Sequence, residues 1–333
     1  MIAQLDALYV RIRPWKLWSR LLGYAMFEGR PLTTRGRWIN PIVFGHFAVE
    51  KRLPQLKPVE RPVFILGTGR SGTTVLGMVL SMHREVGFLN EPKALWHAVH
   101  SGEDLVGSYG SDEARYRLGA KDATVEVRRN AHRLFGAYLV AAFSKRLVNK
   151  YPELIFRVPF VQAIFPDARF IFVVRNGWDT IQSVEEWQRA LRQRRTDRRN
   201  DWWGVDGRKW RLLIEQVLPE HPDLAPHAGS MSDWGSQSAM AAVEWIVTMR
   251  EGLSLLRQHP DVVLRVDYER LCAEPRRVLD NMAGFLGLAP GDDAFLRYGA
   301  QTLRPVQPRP PCHIPEILHD SFNQTMRLLG YSE

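Results

Sequence analysis

A central parallel β-sheet flanked by helices is the fold class this sequence predicts, and three observations carry it. Short runs rich in β-branched and aromatic residues, VFILG (63–67), LIFRV (154–158), RFIFVV (169–174) and VVLRV (262–266), are bounded by Pro, Asp or Asn, the pattern of strands buried on both faces. Helical patterns alternate with them at about 124–150, 178–192, 236–258 and 275–287. The first run opens into a glycine-rich turn, GTGRSGTT (67–74), followed by a helix start.

Taken in order, residues 1–58 read as a basic amphipathic helical arm. Ile2, Leu5, Leu8, Tyr9 and Ile12 fall at helical spacing, Pro14 interrupts, and Trp15, Trp18, Leu21 and Leu22 follow on a second short helix. Two uses of that arm are open: packing on the main domain, or docking through its Trp and Arg side chains on an anionic membrane or a partner. PVERPVF is a linker into the first strand, and residues 59–333 form the main domain, with an Arg/Trp-rich insertion around 188–235. RPVQPRPPCHIP (304–315) carries too many prolines to be anything but a loop, and a helix ending in LLGY closes the chain.

The 333 residues are 45% hydrophobic and 24% charged, enough for one large α/β domain. The net charge of +9 is unevenly spread: residues 1–61 carry +7 and residues 188–211 carry +6, leaving −4 elsewhere, so two local basic surfaces need explaining. Cys272 and Cys312 stand in no ligand-like spacing, which disfavours a disulfide framework or a zinc site and fits a reducing compartment. No secretory leader pattern and no apolar run of roughly 18 residues is present. The expectation is a cytoplasmic protein, soluble or peripheral to a membrane.

The turn after the first strand resembles the phosphate loop G-x-x-x-x-G-K-[ST], in which backbone amides wrap a phosphate, a lysine neutralises it and a hydroxyl holds magnesium. Gly67 and Gly72 keep the spacing and Thr74 keeps the hydroxyl, but Thr73 stands where the lysine would be, and the positive charge has moved to Arg70. Such a loop still cradles one phosphate at a helix N-terminus. It lacks the lysine that reaches a γ-phosphate, which argues against nucleotide hydrolysis.

These residues resemble the sulfotransferases that use 3′-phosphoadenosine 5′-phosphosulfate. GRSGTT looks like their 5′-phosphosulfate loop, which implies donor contacts from Arg70, Ser71, Gly72, Thr73 and Thr74. FIFVVRNGWDTIQSV resembles their second motif, an arginine at a strand end and a serine eight residues on, so Arg175 and Ser183 are implied to hold the 3′-phosphate. VDYERLCAEPRRVLDNMAGFLGL is similar to their late strand and helix, with Tyr268 implied against the adenine. The resemblance covers about residues 60–331, apart from the insertion, and implies the phosphate-loop, nucleotide-kinase-like form of the α/β fold.

The cytosolic members use a histidine base two residues after a lysine on the strand before the 3′-phosphate arginine. Here IFRVPF (155–160) puts Pro159 at that place and Arg157 at the lysine. The pattern resembles instead the bacterial and Golgi branch, which includes the tyrosylprotein sulfotransferases, with Lys-x-Pro on the strand and a glutamate base soon after the phosphate loop. That implies Glu91, in GFLNEPKALW, as the base, with Arg70 and Arg157 as the cations that meet charge on the leaving phosphate. His97 and His100 share a helical face, but no third ligand is spaced to join them, and no metal is expected.

The resulting expectation is transfer of a sulfuryl group to a hydroxyl or amine of a small-molecule, lipid or glycan acceptor, with no nucleic-acid partner. Two other readings stay open. A phosphate-loop small-molecule kinase would need the missing lysine, and a non-catalytic membrane- or nucleic-acid-binding module is suggested by RALRQRRTDRRNDWWGVDGRKW, whose basic residues are interleaved with tryptophans.

Overall fold

The computed structural model describes residues 3–34, 36–110, 114–194 and 200–331. Five parallel strands make the central sheet: β1 (Val63–Gly67), β2 (Val86–Asn90), β3 (Arg146–Lys150), β4 (Arg169–Val174) and, late in the chain, β7 (Val263–Asp267), in the spatial order β2-β3-β1-β4-β7. Between β4 and β7 lies a short antiparallel hairpin, β5 (Asn200–Asp201) with β6 (Gly204–Val205). Register is set by pairs such as Val63↔Val148, Phe64↔Phe170 and Phe170↔Val263.

The alternation of side chains along a strand sends β1 into two cores. Phe64 and Leu66 pack on one face with Trp96, Phe135, Phe170 and Trp245, while Val63 and Ile65 pack on the other with Leu76, Val79, Phe88 and Leu279. The helices Val125–Ala141 and Gln237–Gln258 cover the first face; Thr73–Ser81 and Pro275–Leu286 cover the second. Thr124 and Ser236 cap the first two by accepting from the amides of Val127 and Ala239.

Two sequence expectations fail, and for one reason. LIFRV is not a strand: Pro152–Arg157 is a fully buried 3₁₀ turn that runs into the helix Val158–Ile164. The strand at that place in the order is RLVNK (146–150), so the helix expected over 124–150 ends at Ala141. A buried apolar run has no periodicity to separate strand from helix, and Pro152 at a first helical position favours the turn. The last strand is offset by one residue from VVLRV.

The arm packs on the domain. The Arg13 guanidinium forms a buried ion pair with Asp292; Glu28, paired within the arm to Arg20, accepts from the Asn90 amide at 2.7 Å; Lys16 Nζ donates to the Val86 carbonyl at 2.6 Å, and the Tyr9 and Ser81 hydroxyls lie 3.0 Å apart. Trp15 and Trp18 nonetheless stay exposed, and Ile2 lies outside the described residues. No helix among the described residues is long and apolar enough to cross a membrane.

Candidate active site

Because all five strands are parallel, their carboxyl ends share one rim, where ligands of open α/β sheets bind. Each strand delivers a polar residue there: Thr68 after β1, Glu91 after β2, Lys150 closing β3, Arg175 after β4 and Tyr268 after β7. The phosphate loop leaves β1 and turns into the helix Thr73–Ser81 through Gly72, whose φ of 91° is left-handed and whose missing Cβ makes room for the Tyr268 ring. At Gly69, a Cβ would collide with the Trp202 indole. Ser71 is buried and turned inward, its hydroxyl donating to the Thr68 carbonyl at 2.6 Å.

Arg70 and Arg175 meet at this loop. Arg175 Nη1 donates to the Arg70 carbonyl at 2.7 Å and its guanidinium lies 4.9 Å over the Tyr268 ring, while Arg70 Nε donates to Ser183 Oγ at 3.2 Å. Burial first, and then the neighbouring Arg175 charge, depress the Arg70 pKa. Two cations brought to one loop, Arg70 exposed and Arg175 partly buried, suit an anion there. They line a cleft of about 650 Å³ together with Arg30, Thr73, Thr74 and Lys150. Three buried polar atoms on its lining residues, Arg175 Nε, Asn90 Oδ1 and Thr302 Oγ1, have no hydrogen-bond partner. Size, charge and the unpaired Arg175 Nε–H donor all fit a phosphorylated nucleotide.

Glu91 stands at the opposite wall, its backbone at a left-handed φ of 48°; Arg70, at 69°, is the other cleft residue so held beyond the arm. Strained non-glycine positions of this kind gather at sites of function. The Glu91 carboxylate is about one third exposed, bonded to the Lys150 ammonium and 3.5 Å from Lys93 Nζ. Burial pushes this carboxyl up, but Lys150 and Lys93 outweigh it and hold it below its ordinary value.

Arg157 is not part of this constellation. Its guanidinium is fully buried, donates to Glu103 at 2.7 Å and to the carbonyls of Tyr116 and Arg115, and lines neither cavity of the site. The cation beside Glu91 is Lys150, seven positions earlier, and Lys150-Tyr151-Pro152 supplies the Lys-x-Pro that was sought at Arg157-Val158-Pro159. The signal was present, but it was attached to the wrong apolar run. Pro159 sits in the first turn of a helix. His97 faces a separate depression beside Phe44, Phe47 and Tyr109, and among the described residues no group of three or more His, Cys, Asp and Glu side chains can hold a metal ion.

Beyond Glu91 a second cavity of about 100 Å³ opens between Trp187 and Trp202 on one side and Leu32, Val106 and Pro152 on the other. Its floor is a chain of alternating charges. Lys93 lies 3.7 Å from Glu153, Glu153 lies 3.2 Å from Lys209, Lys209 lies 2.5 Å from Glu244, and Glu244 accepts from the Trp202 indole at 2.9 Å. The arm supplies walls that no local pattern announces, with Glu28, Gly29 and Arg30 lining the cleft and Leu32 and Thr33 the second cavity. Of the tryptophans in the basic stretch of the insertion, residues 189–210, Trp203 and Trp210 are buried, and Trp202, partly exposed, roofs the loop and lines the cleft. Residues 195–199 of that insertion lie outside the described residues.

Comparison with known proteins settles the family. The profile of the sulfotransferase family matches residues 62–228, just over half of the chain and most of the stretch that reads as an insertion. The chain belongs to the sulfotransferase family. This family member is 28% identical over 240 residues to protein-tyrosine sulfotransferase A of Caenorhabditis elegans, covering 71% of this chain and 52% of that one. It is 30% identical over 125 residues to the protein-tyrosine sulfotransferase of Drosophila melanogaster, 37% of this chain and 24% of the other. It is 25% identical over 254 residues to the nodulation protein NoeE of Sinorhizobium fredii, 72% of this chain and 53% of the other. The chain thus spans from a quarter to about half of the length of these curated relatives. Among solved structures, sulfotransferase STF9 from Mycobacterium avium superposes with a TM-score of 0.51 at 14% identity over 99% of this chain and 98% of that one, a likeness of fold.

Proposed function

We propose that this protein transfers a sulfuryl group from 3′-phosphoadenosine 5′-phosphosulfate to a hydroxyl or amine, with Glu91 as general base. The observation that carries the reading is the pairing of Glu91 with Lys150 on the far side of a phosphate loop flanked by Arg70 and Arg175. Bound in the cleft, the donor would supply an activated S–O bond whose cleavage leaves a nucleotide phosphate. The loop amides and Arg70 would hold the phosphosulfate, and Arg175, Ser183 and Tyr268 the nucleotide. Lys150 Nζ is positioned to meet charge on the leaving oxygen and to hold the Glu91 carboxylate ionised. Glu91 takes the proton of the acceptor group as the new bond to sulfur forms, with the acceptor reaching it through the cavity roofed by Trp202. Two of the relatives are named protein-tyrosine sulfotransferases, which places a tyrosyl hydroxyl on a peptide beside small alcohols, lipids and glycans among the acceptors to assay.

Titration calorimetry tests the donor assignment. The 3′,5′-bisphosphorylated adenosine is expected to bind far more tightly than 5′-AMP, and Arg175→Ala to lose about 1.5–3 kcal/mol for the bisphosphate alone, the range for hydrogen bonds to charged groups. Equal affinities for the two nucleotides would remove the assignment.

A further inference from the structure

The helix Val125–Ala141 ends in a Schellman turn: the Phe143 amide donates to the Val140 carbonyl and the Ser144 amide to the Leu139 carbonyl, both at 3.0 Å. The residue in the left-handed position of such a turn is normally glycine, and it is glycine where the helices Pro275–Leu286 and His319–Leu329 end, at Gly287 and Gly330. Here it is Phe143, at φ 50° and with 85% of its surface exposed. Backbone strain and a bare aromatic ring are both unfavourable, and nothing in the fold recovers either cost.

Phe143 is not alone. The Trp18 indole donates to the Ala141 carbonyl at 2.9 Å, which places this 55% exposed ring beside the same turn. Trp15, 67% exposed, lies one turn earlier on the arm, and Val140 and Leu21 extend the apolar surface. Lys145, on a 76% exposed side chain with its ammonium 3.7 Å from Glu85, stands two residues after Phe143, and Arg11 is exposed on the preceding helix. The acids of the arm are largely withdrawn, Glu28 into its buried pair with Arg20 and Asp6 into bonds with the Tyr9 amide and the Tyr298 hydroxyl.

We propose that this tip, formed by Phe143, Trp15 and Trp18 and bordered by Lys145 and Arg11, inserts into the interfacial layer of a membrane carrying anionic lipids. A protruding ring flanked by indoles has no matching shape to require of a fluid interface, where aromatic side chains are favoured, and the cations complement negative headgroups. The tip stands at the amino edge of the sheet, since β3 begins three residues after Phe143 and Lys16 is bonded at Val86, the start of β2. The cleft stands at the carboxyl edge, about 15 Å away for a strand of this length. A docked molecule therefore presents its cleft to the aqueous side, to acceptors that project from or lie clear of the bilayer.

Co-sedimentation of the full chain with vesicles tests this, using phosphatidylcholine alone and phosphatidylcholine mixed with phosphatidylserine. Binding is expected to the mixture, weakening as salt is raised. Phe143→Gly is expected to reduce it by about ten-fold to a hundred-fold, the worth of withdrawing one aromatic side chain from an apolar environment, while leaving the melting temperature unchanged or higher, because glycine tolerates the left-handed turn. A residue with a merely structural role would show the opposite stability change. Failure of the full chain to bind the mixed vesicles overturns the proposal, as does undiminished binding by Phe143→Gly. A dimer seen by sedimentation equilibrium that Phe143→Gly dissolves would assign the tip to a second copy and overturn it as well.

Discussion

Glu91 is held ionised by two lysines in a position where burial alone would favour the neutral acid. A depressed pKa keeps the base ready at neutral pH, and it places the acid limb of the rate profile below the ordinary glutamate range. Glu91→Gln preserves shape and removes the proton acceptor, so sulfuryl transfer is expected to fall by about 10² to 10⁴ with nucleotide affinity nearly unchanged; near-full turnover at saturating substrates would place the base elsewhere. Lys150→Met removes the larger of the two depressing charges, so the acid limb of kcat/KM is expected to move to higher pH along with the loss in rate. Arg157 gives the contrast. Its charge is fully enclosed with Glu103, whose carboxyl burial pushes up to about 7 even beside the arginine, so Arg157→Met is expected to lose stability by urea unfolding and to lose more of it above pH 7 than below, where Glu103 takes up a proton.

At the scale of elements, β1 and β4 were legible to the residue because VFILG, and RFIFVV after its first residue, are apolar and buried on both faces. β3 was not, because RLVNK carries three polar residues, two of which are buried through partners from elsewhere: Arg146 donates to the carbonyls of Arg61, Leu286 and Gly287, and Lys150 meets Glu91. No local pattern announces that a charged residue will be paired by distant chain, and the apolar LIFRV nearby attracted the strand reading. The same error moved the lysine of the site onto Arg157. The loop residues and Arg175 were legible because their chemistry rests on short spacings; the arm's share of the cleft was not, because it depends on Arg13 reaching Asp292 across the whole chain. That pair anchors the arm and is testable. Asp292 is held down to about 2, burial opposing and the Arg13 and Arg84 bonds prevailing. A depressed carboxyl contributes stability that is present above its unfolded value and lost as pH falls through the folded one. Between about pH 4 and pH 2, acid unfolding monitored by circular dichroism is therefore expected to be shallower in Asp292→Asn than in the native chain. An identical acid transition in the two would show that the arm is held by its apolar contacts alone.

Across the molecule, the alternating charges from Lys150 through Glu91, Lys93, Glu153 and Lys209 to Glu244 connect strand ends, a 3₁₀ turn and three helices, and finish on the indole that roofs the phosphate loop. Every interior member is flanked by opposite charges, which is the condition under which buried ions are tolerated. Lys209 is the member whose removal is most informative, because it stands between two buried acids and touches neither the donor cleft nor Glu91. Lys209→Met leaves Glu153 and Glu244 without their shared cation and is expected to lower stability by about 3–5 kcal/mol. Adding Glu244→Gln removes one of the stranded acids and is expected to recover about 1–3 kcal/mol, a coupling measurable as a double-mutant cycle in urea. The chain also reaches the base. With Lys209 gone, Glu153 draws more heavily on Lys93, Glu91 loses part of one of its two partners, and its carboxyl rises, so the acid limb of the rate profile is expected to shift to higher pH in both variants. A loss of stability without that shift would make the array a strut for the acceptor wall, electrically separate from the base.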